Sequence, residues 1–321
     1  MRFSLGMIAL AATSLCGPAE AQVYQTYGTH NPPSGSPCTR PDCTYPRQPG
    51  QPPDPRWPDY WQSDWTMYRV YNHYQDYPPP YPGKPPAALK EGADYQVSHG
   101  WTAYDSTWRS GSGEGAMAEH YDRFCLPIFP LANNYSCTFI SLGNTAYFVA
   151  GEGRPAWMPE VCLFSPLNHP PRPDFIAHLP YSAADSARIG KGGQGYSFWI
   201  SAATGKVIQT GASPDRTADG AILFGYGFQA DAQGKVMPQS FYFSGFPLAP
   251  ASAPIVSQNY VNFRTTQPAP AVWARVAGLH ADTLPACQLF DPPGSSTGPQ
   301  ALTGKPTKRA PTWDQIGRWK P

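Results

Sequence analysis

Short runs of β-branched and aromatic residues follow one another down this chain, and glycine, proline or asparagine cuts each one off before it reaches helix length. Runs of that composition suit a pleated, half-buried surface. Strands are expected at TMYRVYNHY (66–74), DYQVSHGWTAYDST (94–107), GAMAEHYDRFC (115–125), CTFISLGNTAYFV (137–149), GYSFWISAATGKVIQTG (195–211), AILFGYGFQADAQGK (221–235), PQSFYFSG (238–245) and NYVNFR (259–264). Gly143-Asn144, Ala203-Thr204-Gly205 and Gln233-Gly234 supply the turns. No βαβ alternation points to a parallel sheet. The expected class is mainly β: an antiparallel two-sheet or curved-sheet domain, disulfide-stapled, with one or two short helices.

Trp61, Trp65 and Tyr68 share helical spacing, so a helix rivals the first strand. The clearest helix is PAPAVWARVAGL (268–279), with a proline-rich start and Gly278 near its end. A second is SAADSARIG (182–190), where Ser182 caps, Asp185 sits three residues on and Gly190 stops the turn.

Four segments are expected. Residues 1–21 read as a secretory signal: Arg2, a short apolar run from Leu5 to Leu15, then Ala19-Glu20-Ala21. Cys16 raises a lipoprotein signal, but Leu15 before it is not small. Residues 22–60 form a Pro-rich, extended, poorly ordered arm, 61–292 the β domain and 293–321 a flexible tail. No other run approaches the roughly 18 apolar residues of a membrane helix, so a secreted or periplasmic protein that does not span a membrane is expected. Net charge is +1 with no basic stripe, which argues against nucleic acid as partner.

Beyond the signal lie Cys38, Cys43, Cys125, Cys137, Cys162 and Cys287. An even number in an exported chain suggests disulfides, and sequence alone does not choose the pairing. The stretch MPEVCLFSPLNHPPRPDFIAHLP (158–180) gathers a cysteine, two histidines and an aspartate. Its prolines suit an edge connector better than a site, with Cys162 as half of a disulfide.

Catalytic motifs are absent: no G-x-S-x-G elbow and no H-E-x-x-H. GKGGQG (190–195) matches a dinucleotide fingerprint by letter, but a strand follows where a helix is required. Ser98-His99 and Glu119-His120 are neighbours whose side chains point to opposite faces of a strand. No cofactor is expected. Calcium stays open, because Asp215, Asp219 and Asp231 lie in loops where oxygen ligands could converge, although loop aspartates more often form turns. Asn134-Tyr135-Ser136 is a glycosylation sequon.

Aromatic residues make up 14% of the chain, enough to fill a core, build a sugar-stacking platform or line an apolar cavity. The order of the segments resembles the ependymin-related family. The resemblance rests on YDST (104–107), the CTFISLGNTAYFV hairpin, VCLFSPL leading to DFIAHLP, GYSFW and PACQLFDPP (285–293). It implies a secreted fold of two antiparallel sheets around a hydrophobic pocket, sometimes with calcium. ILFGYGF (222–228) lacks a cysteine the family expects there, so no disulfide pattern carries over.

The leading expectation is an exported protein holding a small hydrophobic or amphipathic ligand between antiparallel sheets. Its walls would come from Phe139, Tyr147, Phe198, Trp199, Phe224, Phe241 and Phe243, of which alternation lets only about half face inward. Two alternatives stand beside it. One is a secreted hydrolase or lyase using His99, His120, His169 or His178 with a carboxylate. The other is a carbohydrate-binding surface built from the aromatic cluster between Trp61 and Tyr74.

Overall fold

The computed structural model describes residues 47–71, 76–110, 113–125, 134–165, 170–201, 207–210, 221–244 and 254–287. The expected signal, the tail, Cys38 and Cys43 lie outside them. Among the described residues there are twelve strands: β1 (Tyr60–Val70), β2 (Tyr95–Ser110), β3 (Gly113–Tyr121), β4 (Cys137–Leu142), β5 (Thr145–Ala150), β6 (Val161–Ser165), β7 (Tyr181–Ser182), β8 (Gly193–Ser201), β9 (Val207–Thr210), β10 (Ala221–Ala230), β11 (Val236–Ser244) and β12 (Ile255–Arg264). Eleven pair in the order β6-β5-β4-β3-β2-β1-β12-β11-β10-β8-β7, and β9 pairs with β8. The ladders along this path are antiparallel, so the curved-sheet form of the expectation holds.

The sheet curls, so that residues from both of its wings share one large core cluster. In β1 the residues alternate: Trp61, Ser63, Trp65, Met67 and Arg69 are buried, while Gln62, Asp64, Thr66 and Tyr68 are half-buried. That period of two excludes the helix that Trp61, Trp65 and Tyr68 also permitted. Cross-strand register extends the inner face in both directions. Trp65 lies opposite Gly100 of β2 and Tyr260 of β12, and Met67 opposite Ser98 and Gln258. Gly100 is where Trp65 needs room, since a Cβ there would meet the indole and the His120 carbonyl. The two wings touch across the concavity. Trp57 packs edge-on against Tyr104 of β2 at 5.0 Å and Tyr226 of β10 at 6.2 Å, although β1, β12 and β11 separate those strands in the sheet.

Residues 47–59 therefore do not behave as a loose arm. Trp57 is only 2% exposed, its N–H donates to the Pro173 carbonyl at 2.8 Å, and Tyr196 donates to Asp54 at 3.0 Å. Proline removes ladder donors here but does not prevent an aromatic side chain from docking.

β6 and β7 follow each other in sequence yet sit at opposite ends of the sheet order. The connector between them crosses the open side. Its 3₁₀ turn, Phe175–His178, buries Phe175 and Ile176 in the same core, with Phe175 edge-on to Trp57 and to Tyr226 at 4.8 Å each. The β6 edge is covered as well. Leu163 exchanges backbone hydrogen bonds with Pro285 and Cys287 at 2.8 and 3.0 Å, and Cys162 is bonded to Cys287. An edge with paired donors gives another chain little to pair with. A second disulfide joins Cys125 to Cys137. Two such cross-links fit maturation in an oxidising compartment.

The outer face is covered in three patches. Tyr81 and Leu89 pack with Val70. Helix α1 (Ala183–Ile189) lies on β8 and is capped as its sequence predicts, with Ser182 Oγ accepting the Asp185 N–H at 3.2 Å and Gly190 closing it at φ 107°. Its Asp185 is buried, accepting from Tyr242 at 2.6 Å and Ser197 at 2.5 Å and pairing with Arg188 at 2.6 Å. The third cover is the segment expected as the clearest helix. It is instead a 3₁₀ turn, Pro270–Val272, followed by further turns, which places Trp273 and Val276 against Ala116, Ala118, Ile140 and Val149. The gain from seating both side chains on the sheet outweighs the weak α-propensity of a stretch holding two valines and a tryptophan.

Candidate functional site

The inner face of the curled sheet carries the largest core cluster. Its wall is apolar and largely aromatic. Phe139, Met117, Phe241, Tyr260 and Phe263 pack against the core cluster but are only partly buried, while Trp61, Phe148, Phe198 and Phe224 are fully enclosed. Phe139 touches Tyr121, Phe148 and Phe164 edge-on at 5.1–5.9 Å. Phe241 stacks on Phe243 at 4.5 Å and on Tyr226 at 4.9 Å.

Five of the seven expected wall residues share this inner face: Phe139, Phe198, Phe224, Phe241 and Phe243. Tyr147 and Trp199 do not. Tyr147 belongs to the outer cluster under Trp273 and donates to the Leu279 carbonyl at 3.4 Å. Trp199 packs with Leu223, Tyr242 and Ile255. Each is one residue from an inward-facing phenylalanine, Phe148 and Phe198, so alternation turns it outward.

One carboxyl stands among these rings. Glu119 lies opposite Thr102 on β2 and Phe139 on β4, which fixes it on the inner face, while Ala118 and His120 turn outward. Its Oε1 is inaccessible to solvent and has no hydrogen-bond partner. Burial pushes its pKa up to about 7, and the nearby Gln258 amide only partly offsets this. Neither amide atom of Gln258 completes a hydrogen bond of normal geometry. The Tyr226 and Tyr260 phenols lie within electrostatic reach of the same carboxyl; burial first holds both well above the usual tyrosine range, followed for Tyr226 by the Tyr260 phenol and then Glu119, and for Tyr260 by Glu119. The buried indole N–H groups of Trp57 and Trp61 are also unpartnered. The interior thus offers acceptor and donor atoms without internal partners, set in apolar walls, which is how small-molecule sites fix a ligand's orientation.

The sequence placed Glu119 and His120 on opposite faces of a strand but did not single out the acid as the inward-facing one. The signal was present: Met117, Glu119 and Tyr121 alternate with Ala116, Ala118 and His120, placing the acid on the face with the large apolar side chains.

Among the described residues, His99, His120 and His178 do not come together. His120 sits on the outer face, stacked on Trp101 at 5.3 Å, with Thr138 at 2.8 Å and Asp122 at 3.3 Å. Burial lowers its pKa, against Asp122. His99 neighbours Thr66 at 3.4 Å, His178 is buried with Nδ1 unpartnered, and His169 lies outside the described residues. These groups share no concave pocket. The proposed sugar platform is not a row of exposed rings: Trp57, Trp61 and Trp65 are at most 2% exposed. Tyr74 lies outside the described residues. Asp231 is a turn former, accepting the Gln233 and Lys235 N–H groups at 2.9 and 2.8 Å. Asp215 and Asp219 are outside the described residues, among which no group of three His, Cys, Asp or Glu side chains could hold a metal ion. No helix among the described residues is long and apolar enough to cross a membrane.

A surface cleft of about 230 Å³ is lined by Arg56, Asp59, Glu114, Arg172 and Asp174. Its charges pair with one another, Arg172 with Glu114 at 3.0 Å and Arg56 with Asp59 at 3.6 Å, so it presents little unbalanced charge. No protein-family model matches the chain, and no curated protein matches it in sequence.

Proposed function

We propose that the protein binds a hydrophobic or amphipathic molecule inside the curled sheet. The observation that carries this is the set of side chains, Phe139, Met117, Phe241, Tyr260 and Phe263, that pack against the core cluster yet stay partly accessible. A closed core of this size leaves its large rings enclosed; rings left accessible on a concave face supply apolar area for a ligand to cover. At about 25 cal/mol per Å² of apolar surface, a ligand covering roughly 300 Å² gains several kcal/mol before the costs of binding. The resemblance to the ependymin-related family supports the same reading, as does the expectation of an exported chain.

Native mass spectrometry of protein purified without detergent tests it. The expected result is a co-purifying apolar molecule that denaturation releases. Protein that is empty and that takes up no apolar dye overturns the reading.

A further inference from the structure

The interior is not uniformly apolar, and its polar groups have a definite chemistry. Glu119 from β3 and Gln258 from β12 approach each other across the concavity, with β2 and β1 between their strands in the sheet. Glu119 Oε1 and both Gln258 amide atoms complete no hydrogen bond of normal geometry, although the amide lies close enough to pull the carboxyl's pKa down. The cross-strand neighbours of Glu119 are Thr102 and Phe139, and the Tyr226 and Tyr260 phenols lie within reach of its charge; none of these is cationic. The inner-face arginine, Arg69, is engaged elsewhere, bonded to Gln96 at 2.9 Å and lying over the rings of Tyr71 and Phe124. Among the described residues no ion pair reaches Glu119.

We propose that Glu119, with Gln258 beside it, anchors the polar end of the interior ligand, and that this end is a protonated amine. The inference rests on the ligand-binding reading above. A carboxylate among aromatic rings lacks a cation, and an alkylammonium supplies one together with three N–H donors. The faces of Tyr226, Tyr260 and Phe139 add cation–π attraction. A fatty carboxylate would meet like charge once Glu119 ionises. An alcohol would satisfy the oxygen but leave the charge unbalanced.

Binding of decylamine, decanol and decanoate, followed by calorimetry at pH 6 and pH 8, tests the proposal. Decylamine stays protonated across this range while Glu119 ionises, so its affinity is expected to rise about tenfold from pH 6 to pH 8. It should exceed that of decanol at pH 8. In Glu119→Gln the rise should vanish and the amine should bind no better than the alcohol, while an unchanged near-ultraviolet circular dichroism spectrum reports an intact aromatic interior. Decanoate binding more tightly than decylamine at pH 8 overturns the proposal, as does an amine affinity indifferent to pH or to Glu119→Gln. If decanol binds and the amine binds no tighter, the anchor fails and the pocket stands. If none of the three binds, both fail.

Discussion

At the scale of single residues, the side chains that matter most were those whose neighbours in sequence misled. The inner wall alternates large and small along β10: Phe224, Tyr226 and Phe228 point inward, with Gly225 and Gly227 between them. That parity was legible. What was not legible was register, the pairing that sets a glycine opposite a particular ring. Gly100 shows the consequence. Its backbone dihedral is ordinary, but Trp65 lies directly opposite, with its indole over the glycine and its Nε1 donating to Thr102 at 3.2 Å. Gly100→Ala should force the indole or the β2–β3 ladder aside and cost about 2–3 kcal/mol. Urea unfolding followed by tryptophan fluorescence measures this. A loss under 0.5 kcal/mol, on the order expected of a neutral surface change, would show that the contact is not restrictive.

At the scale of elements, most strands were readable because composition and turn chemistry agree, as in the Gly143-Asn144 hairpin between β4 and β5. The failures share a cause. Residues 47–59 and 270–279 lack a periodic pattern of their own and acquire their conformation by docking one or two large side chains, Trp57 in the first and Trp273 and Val276 in the second. No local rule anticipates that. The strap from Pro285 to Cys287 is the same kind of element, held to β6 by two backbone bonds and the Cys162–Cys287 disulfide. That bond spans 125 residues, so its chain-entropy contribution is large, about 5 kcal/mol. Replacing both cysteines by serine should lower stability by that amount and loosen the strap, uncovering a sheet edge. The expected readouts are a lower urea midpoint and light scattering that grows with protein concentration. An unchanged midpoint would mean that packing alone holds the strap.

At the scale of the whole molecule, the sequence implied a curved sheet but not how its wings meet. The curl is held by long-range agreements: the chain crosses between β6 and β7 at opposite edges, and Trp57 and Phe175 lodge between the wings. These are visible only once the strand order is known. The curl also buries a carboxyl. Glu119 titrates near its ordinary value, 4.5, when the chain is unfolded, and near 7 inside the sheet. Between those values the folded state holds more protons than the unfolded state, so this group makes stability fall as pH rises. Its effect is absent below about pH 4.5 and complete above about pH 7, and the loss is on the order of 1–3 kcal/mol. Glu119→Gln keeps the shape and removes the charge. The difference in unfolding free energy between this variant and the natural protein should therefore widen from pH 5 to pH 8 in favour of the variant, other titrating groups cancelling in the comparison. A constant difference would mean that the carboxyl is solvated in the folded state. If the difference does widen, the natural protein is giving up stability near neutral pH to keep a charge in its interior. The amine-anchor proposal supplies the reason, because a bound ammonium stabilises the same ionised form that destabilises the empty protein.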